Sequence, residues 1–306
     1  MTPADPTRMA KRSIIDAHHH FWDPTRNYHP WLCDAEPIAF RYGDYSSLRR
    51  PYLAPDYLAD ADNYHVAGSV YVETEWDPAH LASETDYVAQ LRSSGLPSVA
   101  VMAARLNEPD TEDLLARHAA HDFVRGIRHK PRANPSPRDT APGGMTDPQW
   151  RRGYAHLRRY GLSFDLQTPW WHMREAADLA TAFPDIPIIV NHAGLPADRS
   201  EDALVAWAHA MANMAARENV TIKISGIGQP GHPWTAQSNR RIVLTLIDLF
   251  GVSRCMFASN FPVDSLCGSF TDIFSGFEAI TSDLTDDERD ALFRTNAIRI
   301  YRIPTI

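Results

Sequence analysis

A chain of 306 residues, 44% hydrophobic and 22% charged, has enough apolar material for a large core; its length is unusual for one ordinary domain but normal for an α/β barrel. The net charge of −8 argues against a nucleic-acid partner, although a local cationic cluster can still receive an anionic small molecule. No apolar run approaches bilayer-spanning length, and residues 1–13 carry basic side chains without an apolar stretch behind them, so they read as a disordered leader and not a secretory signal. In chain order, β-branched and apolar runs predict strands at 14–19, 66–73, 98–104, 123–129, 162–167, 186–192, 220–225 and 254–260. Helical patterning between them includes 85–94, 150–160, 174–183, 201–218, 239–250 and 286–296. Alternating strands and helices imply a parallel sheet with right-handed crossovers, and eight such units imply closure into a single (β/α)8 TIM barrel over residues 14–306. No Gly-rich dinucleotide or phosphate loop follows any strand, which weakens the open doubly wound alternative.

Two connections are too long to be mere linkers. Residues 21–64, after the first strand, are dense in aromatics and Pro, and residues 130–147, after the fourth, are rich in Pro, Gly and Arg. Both leave from C-terminal strand ends, the face where such barrels do chemistry, so they predict a lid and a substrate-binding flap.

Polar residues collect at that same face. The first strand ends in Asp16-Ala17-His18-His19-His20; simple alternation puts Asp16, His18 and His20 on one side and His19 on the other. Two imidazoles side by side at a strand end suit a metal or a carbonyl that needs polarising. Glu73 ends the second strand, with Glu75 two residues on. Arg128 and His129 end the fourth strand, Asp165 and Gln167 the fifth, and His192 the sixth. Lys223 and Ser225 end the seventh, and Asn260 followed by Asp264 closes the eighth. A purely structural barrel has no need of ionisable groups at so many equivalent positions, although Asp165 and Lys223 also suit a paired core role.

These pieces, taken together and in order, resemble the amidohydrolase-related family, in particular its branch of sugar-lactone and pyrone-dicarboxylate lactonases. The matching segments are Asp16-Ala17-His18-His19-His20-Phe21-Trp22-Asp23, Gly126-Ile127-Arg128, Asn191-His192-Ala193-Gly194-Leu195-Pro196, Lys223-Ile224-Ser225-Gly226, Ala258-Ser259-Asn260-Phe261-Pro262-Val263 and Asn296-Ala297-Ile298-Arg299-Ile300-Tyr301. The resemblance implies that His18, His20 and His192 surround the reacting carbonyl. It also implies an aspartate at the end of the eighth strand, where this chain has Asn260, and in many metal-dependent relatives a fifth-strand His, where it has Asp165-Leu166-Gln167. An amide cannot take a proton from water near neutral pH, so the role of base must have moved, to Glu73 first or Asp264 second.

The implied activity is hydrolysis of a lactone of a sugar acid or unsaturated dicarboxylate, which needs an activated water, a stabiliser for the oxyanion and a route for the proton. Three neutral imidazoles, His18, His20 and His192, can hold Zn²⁺ or another divalent metal with one position open, and metal-independent polarisation by the same histidines stays open. Arg128 offers a fork for a substrate carboxylate, with Asp139, Asp147 and Asp165 as competing structural partners. Gln167, Lys223, Asn260 and Trp31 complete the expected substrate-binding set, and Trp31, Tyr42 and the pair Trp170-Trp171 suit a flat or sugar-like ring. Two other readings compete: a metal-dependent nonoxidative decarboxylase of an aromatic or unsaturated acid, against which Asn260 counts, and a degenerate ligand-binding barrel, against which the three histidines count. Cys33, Cys255 and Cys267 show no paired spacing, which fits a reducing cytoplasm. The expected partner is a small anionic or sugar-like molecule, with no nucleic acid and no membrane, and a homo-oligomer stays open.

Overall fold

The computed structural model describes residues 11–304. Eight strands, β1 (Ser13–His19), β2 (His65–Val72), β3 (Val99–Ala103), β4 (Val124–His129), β5 (Ser163–Leu166), β6 (Ile188–Val190), β7 (Val220–Ile224) and β8 (Cys255–Phe257), form one parallel sheet in chain order. The segment leaving β8 returns to β1, where the His20 N–H donates to the Phe261 carbonyl and the Asn260 N–H to the His18 carbonyl, each at 2.8 Å. The sheet thereby curls into a nearly closed (β/α)8 barrel, as the alternation of elements predicts. The leader expected over 1–13 lies mostly outside the described residues; Ser13 already starts β1, and Arg12 donates to Glu278 at 2.6 Å.

Helices surround the barrel because each presents one apolar stripe to the strands. In the helix Glu201–Ala215 the buried positions are Leu204, Trp207, Met211 and Met214, spaced three or four apart. Trp207 Nε1 also donates to the Ala193 carbonyl at 2.7 Å, tying that helix to the turn that carries His192. The helix Pro148–Ala155 starts where Asp147 accepts from the Gln149 N–H and a proline fills the first turn. Two helices beyond those predicted, Thr111–Ala119 and Phe270–Ile280, complete the ring. No helix among the described residues is long and apolar enough to cross a membrane.

Inside the barrel, Ile15 and Ala17 pack with Val70, Val72, Val99 and Val101. Asp16 faces the other way, accepting from Tyr57 Oη at 2.8 Å and from Ser259 Oγ at 2.6 Å. The pairing of β1 with β2 slips between Asp16 and His19, where three residue steps on β1 match two on β2. This bulge corrects the expectation that Asp16 shares a face with His18 and His20: the extra residue reverses the alternation and turns the two histidines to the barrel mouth.

Lys223 also departs from its expected role in substrate binding. Its ammonium stands 2.7 Å from Asp165 Oδ1, both side chains are fully buried, and Tyr301 Oη donates to the same oxygen at 2.8 Å. Gly126 leaves room for this network, since a Cβ there would collide with Ser163 Oγ and stand 3.5 Å from Asp165 Oδ2. Removing one member of a buried ion pair strands the other charge. Asp165→Ala is therefore expected to destabilise the fold by about 3–5 kcal/mol, and the double change to Asp165→Leu with Lys223→Met to recover most of the loss. Urea denaturation checks both; a cost below about 1 kcal/mol for the single change would show that the pair carries no stability.

Candidate active site

The turns at the C-terminal ends of the strands are strained in a concentrated way. Of six non-glycine residues with positive φ among those described, Glu75, His192, Ala193, Leu195 and Asn260 lie there, after β2, β6 and β8. Such conformations persist where the surroundings over-determine them, and they gather at working sites. They enclose a cavity of about 200 Å³. From the strand ends, His20, Arg128, Gln167, His192 and Asn260 line it; from the long segment after β1 come Trp22, Trp31, Phe40 and Arg41.

His20 and His192 line the cavity, and the fully buried His18 packs against both. His20 Nδ1 donates to the Val72 carbonyl at 2.8 Å, which leaves the lone pair on Nε2. That Nε2 stands 3.3 Å from His18 Nε2, while His18 Nδ1 has no partner. The His192 ring lies 4.5 Å from that of His18, tilted by 45°, with Nδ1 hydrogen-bonded to Ser225 Oγ at 3.0 Å. Gly226 makes that placement feasible: at φ +59 a Cβ would fall 2.5 Å from His192 Nδ1. Burial holds all three imidazoles well below their usual pKa, and the charges of Lys223, Arg128 and Arg41 push the same way. They are neutral at pH 7, the state in which imidazole binds a metal.

Two nitrogens about 2.0–2.1 Å from one tetrahedral ion stand roughly 3.3–3.4 Å apart, the separation found between the Nε2 atoms of His18 and His20. This pair therefore fits two positions of a zinc site. The three expected histidines gather at one place, with the His18 ring 5.0 Å from that of His20 and 4.5 Å from that of His192, although among the described residues no group of three His, Cys, Asp or Glu is placed to hold a metal.

Both candidate bases are in place, with different freedom. Glu73 is bound on both oxygens: Oε1 takes Arg128 Nε, and Oε2 takes the Glu75 N–H at 2.7 Å. Neither it nor Asp264 lines the cavity; with both oxygens engaged, Glu73 is not the free base expected of it, and its carboxylate orients the guanidinium. Arg128 also donates Nη2 to the Glu73 carbonyl at 2.5 Å and Nη1 to Gln167 Oε1 at 3.1 Å. None of Asp139, Asp147 or Asp165 is its partner. Asp264 sits directly behind Asn260, whose amide donates to its Oδ1 at 2.5 Å; Tyr42 Oη at 3.1 Å and Arg41 Nη2 at 3.4 Å reach the same oxygen. Burial pushes the Asp264 carboxyl up to about 6 against the pull of these three donors. The carboxylate missing from the end of β8 thus stands four residues further on.

The segment after β1 covers one side of the cavity. Trp31 stacks on Phe40 at 5.7 Å, meets Trp22 edge-on at 5.2 Å, and donates Nε1 to the Thr74 carbonyl at 2.9 Å. The segment after β4 contributes only Lys130, which pairs with Glu75. Its remainder is anchored elsewhere: the Asn134 N–H donates to His172 Nε2 at 2.8 Å and Trp171 Nε1 to the Asn134 carbonyl at 3.0 Å. The expected flap therefore meets the cavity through Lys130 alone, and Trp170, Trp171 and Tyr42 do not line it. Sequence reasoning missed Arg41; a cation set between Phe40 and Tyr42 in an aromatic lid was the available signal.

The chain is 40% identical over 300 residues to the uncharacterized protein y4mH of Sinorhizobium fredii, covering 96% of this chain and all of the relative. It is 27% identical over 304 residues to an L-fucono-1,5-lactonase of Burkholderia multivorans, covering 95% and 96% of the two chains. A solved amidohydrolase of Burkholderia multivorans with bound Zn superposes with a TM-score of 0.75 at 26% identity, covering 95% of this chain and 99% of the other. The family model described as Amidohydrolase matches residues 15–303, essentially the whole barrel, and the chain belongs to that family.

Proposed function

We propose that the protein hydrolyses a lactone, opening the ring of a sugar acid or an unsaturated carboxylic acid. The observation that carries this reading is one small cavity lined by two imidazoles, His20 and His192, with His18 packed against both, and by three cationic side chains. The volume is below that of drug-sized pockets and suits a single ring; Arg41, Arg128 and Lys130 line it, and although each is paired with a carboxylate of the chain, their remaining donors suit an acidic ring. Similarity to an L-fucono-1,5-lactonase supports the same reading. When bound, a zinc held by His18 and His20 supplies Lewis acidity beside the carbonyl.

The residues of the chain account for the rest. Arg128, held flat by Glu73 and Gln167, keeps donors toward the cavity for a carboxylate. Trp31, Phe40 and Trp22 cover the ring and exclude bulk water. Asp264, ionised above pH 6, takes the proton of the attacking water through the Asn260 side of the cavity. The water oxygen bonds to the carbonyl carbon, the ring C–O bond breaks, and the departing ring oxygen receives that proton, which leaves a hydroxy acid.

Purified protein is expected to release acid from at least one member of a panel of aldono-lactones and unsaturated carboxy-lactones. Arg128→Lys keeps a charge beside Glu73 but loses the fork; it is expected to raise KM for acidic lactones roughly ten- to a hundredfold and leave neutral ones nearly unchanged. Release of CO2 from an aromatic acid with no lactone turnover would assign the site to decarboxylation instead.

A further inference from the structure

We propose that the mouth of the barrel holds a second, mainly apolar compartment, adjoining the reacting cavity across a shared wall, and that it receives an aryl or alkyl substituent of the lactone. This inference rests on the lactonase reading and narrows its substrate class. The compartment has a volume of about 370 Å³, larger than the reacting cavity. The two share Trp31, Ile38, Arg128 and the Glu75–Lys130 pair as a common wall.

The remaining apolar walls are Pro30, Trp76, Pro78, Leu81, Ala103 and Ala104. The two alanines explain why space exists there. β3 ends in Ala103-Ala104, whereas its neighbours carry Glu73 just after β2 and Arg128-His129 at the end of β4. Small side chains at the end of β3 leave room between those larger groups.

Most polar groups that border the compartment are taken up by one another. Glu73 binds Arg128, Glu75 binds Lys130, and His129 Nδ1 accepts from Trp150 Nε1 at 3.0 Å and from the Leu106 N–H at 3.2 Å. Arg105 remains at the rim. The surface offered to a ligand is therefore mainly apolar, and water there is readily displaced by hydrocarbon. The Glu75–Lys130 pair is partly exposed, and such pairs are weak, so a substituent passing between the two spaces can part it at little cost.

The test uses δ-lactones carrying hydrogen, propyl or phenyl on the carbon that bears the ring oxygen. The substituents are expected to raise kcat/KM by about three- to fourfold per buried methylene. Ala104→Phe, which fills the compartment from below, and Leu81→Trp, which fills it from the rim, are expected to flatten the series while leaving the unsubstituted lactone within about twofold. Titration calorimetry with unreactive 4-phenylbutyrate gives a readout independent of turnover: binding at least tenfold tighter than butyrate in the wild type, and lost in both variants. A flat lactone series together with equal affinity for the two acids overturns the compartment. Tight phenylbutyrate binding that both variants abolish, in a protein that opens no lactone, overturns the hydrolase reading and keeps the compartment.

Discussion

Asp264→Asn is expected to lower kcat/KM by roughly 10²–10⁴-fold, the worth of a positioned general base. In the wild type, kcat/KM should rise with pH through about 6, where burial has placed the Asp264 carboxyl, and then level off. The variant should lose that limb. Stability must move the opposite way. The folded-state pKa is raised above the unfolded value of 3.8, so the folded protein holds the proton more tightly. The stability this contributes is fully present below about pH 4 and is lost as pH rises through 6. At pH 7 the ionised carboxylate costs about 3 kcal/mol, at 1.36 kcal/mol per pKa unit, and Asn should relieve much of it. Urea melts from pH 4 to 7.5 beside pH–rate profiles check both halves. A variant less stable at pH 7 and unchanged in its pH profile would make Asp264 a plain hydrogen-bond acceptor for Asn260, Tyr42 and Arg41.

Loss of either paired histidine should be comparably severe. His18→Ala and His20→Ala are expected to reduce kcat on the order of 10³-fold, in line with several kcal/mol of charge stabilisation. Each should also abolish retention of zinc, measured by elemental analysis after reconstitution and gel filtration. His192→Ala should weaken metal binding less, because that ring packs on His18 and is held by Ser225. His19→Asn is the internal control: His19 faces away, bonded to Ser69 Oγ at 2.8 Å and packed on Phe21 and Tyr57, so zinc should stay. Full activity in exhaustively chelated wild-type protein would remove the metal from the scheme and leave the neutral imidazoles as direct polarisers.

The eight strands were legible in the residues because each is a short β-branched or apolar run bounded by turn formers, the mark of parallel strands buried on both faces, and this needs only local pattern. The location of the site was legible for a related reason. In a parallel barrel the C-terminal strand ends share one face, so ionisable residues at those positions meet wherever the sheet closes. His20, Arg128, Gln167, His192, Asn260 and Trp31 all reach the cavity on that basis. The tertiary structure alone decided which of the converging groups are free to react. A one-residue bulge in β1, set by pairing with β2, determines that His18 and His20 face inward while Asp16 does not. Glu73 is engaged by Arg128 from 55 residues away, and Arg41 crosses 223 residues to reach Asp264. Lys223, placed like a substrate ligand at the end of its strand, is neutralised by Asp165 inside the barrel. Charge and residue type are local properties of a chain. Burial and the choice of ionic partner are not, and these decide whether a carboxylate acts as a base, a buttress or a buried counter-ion.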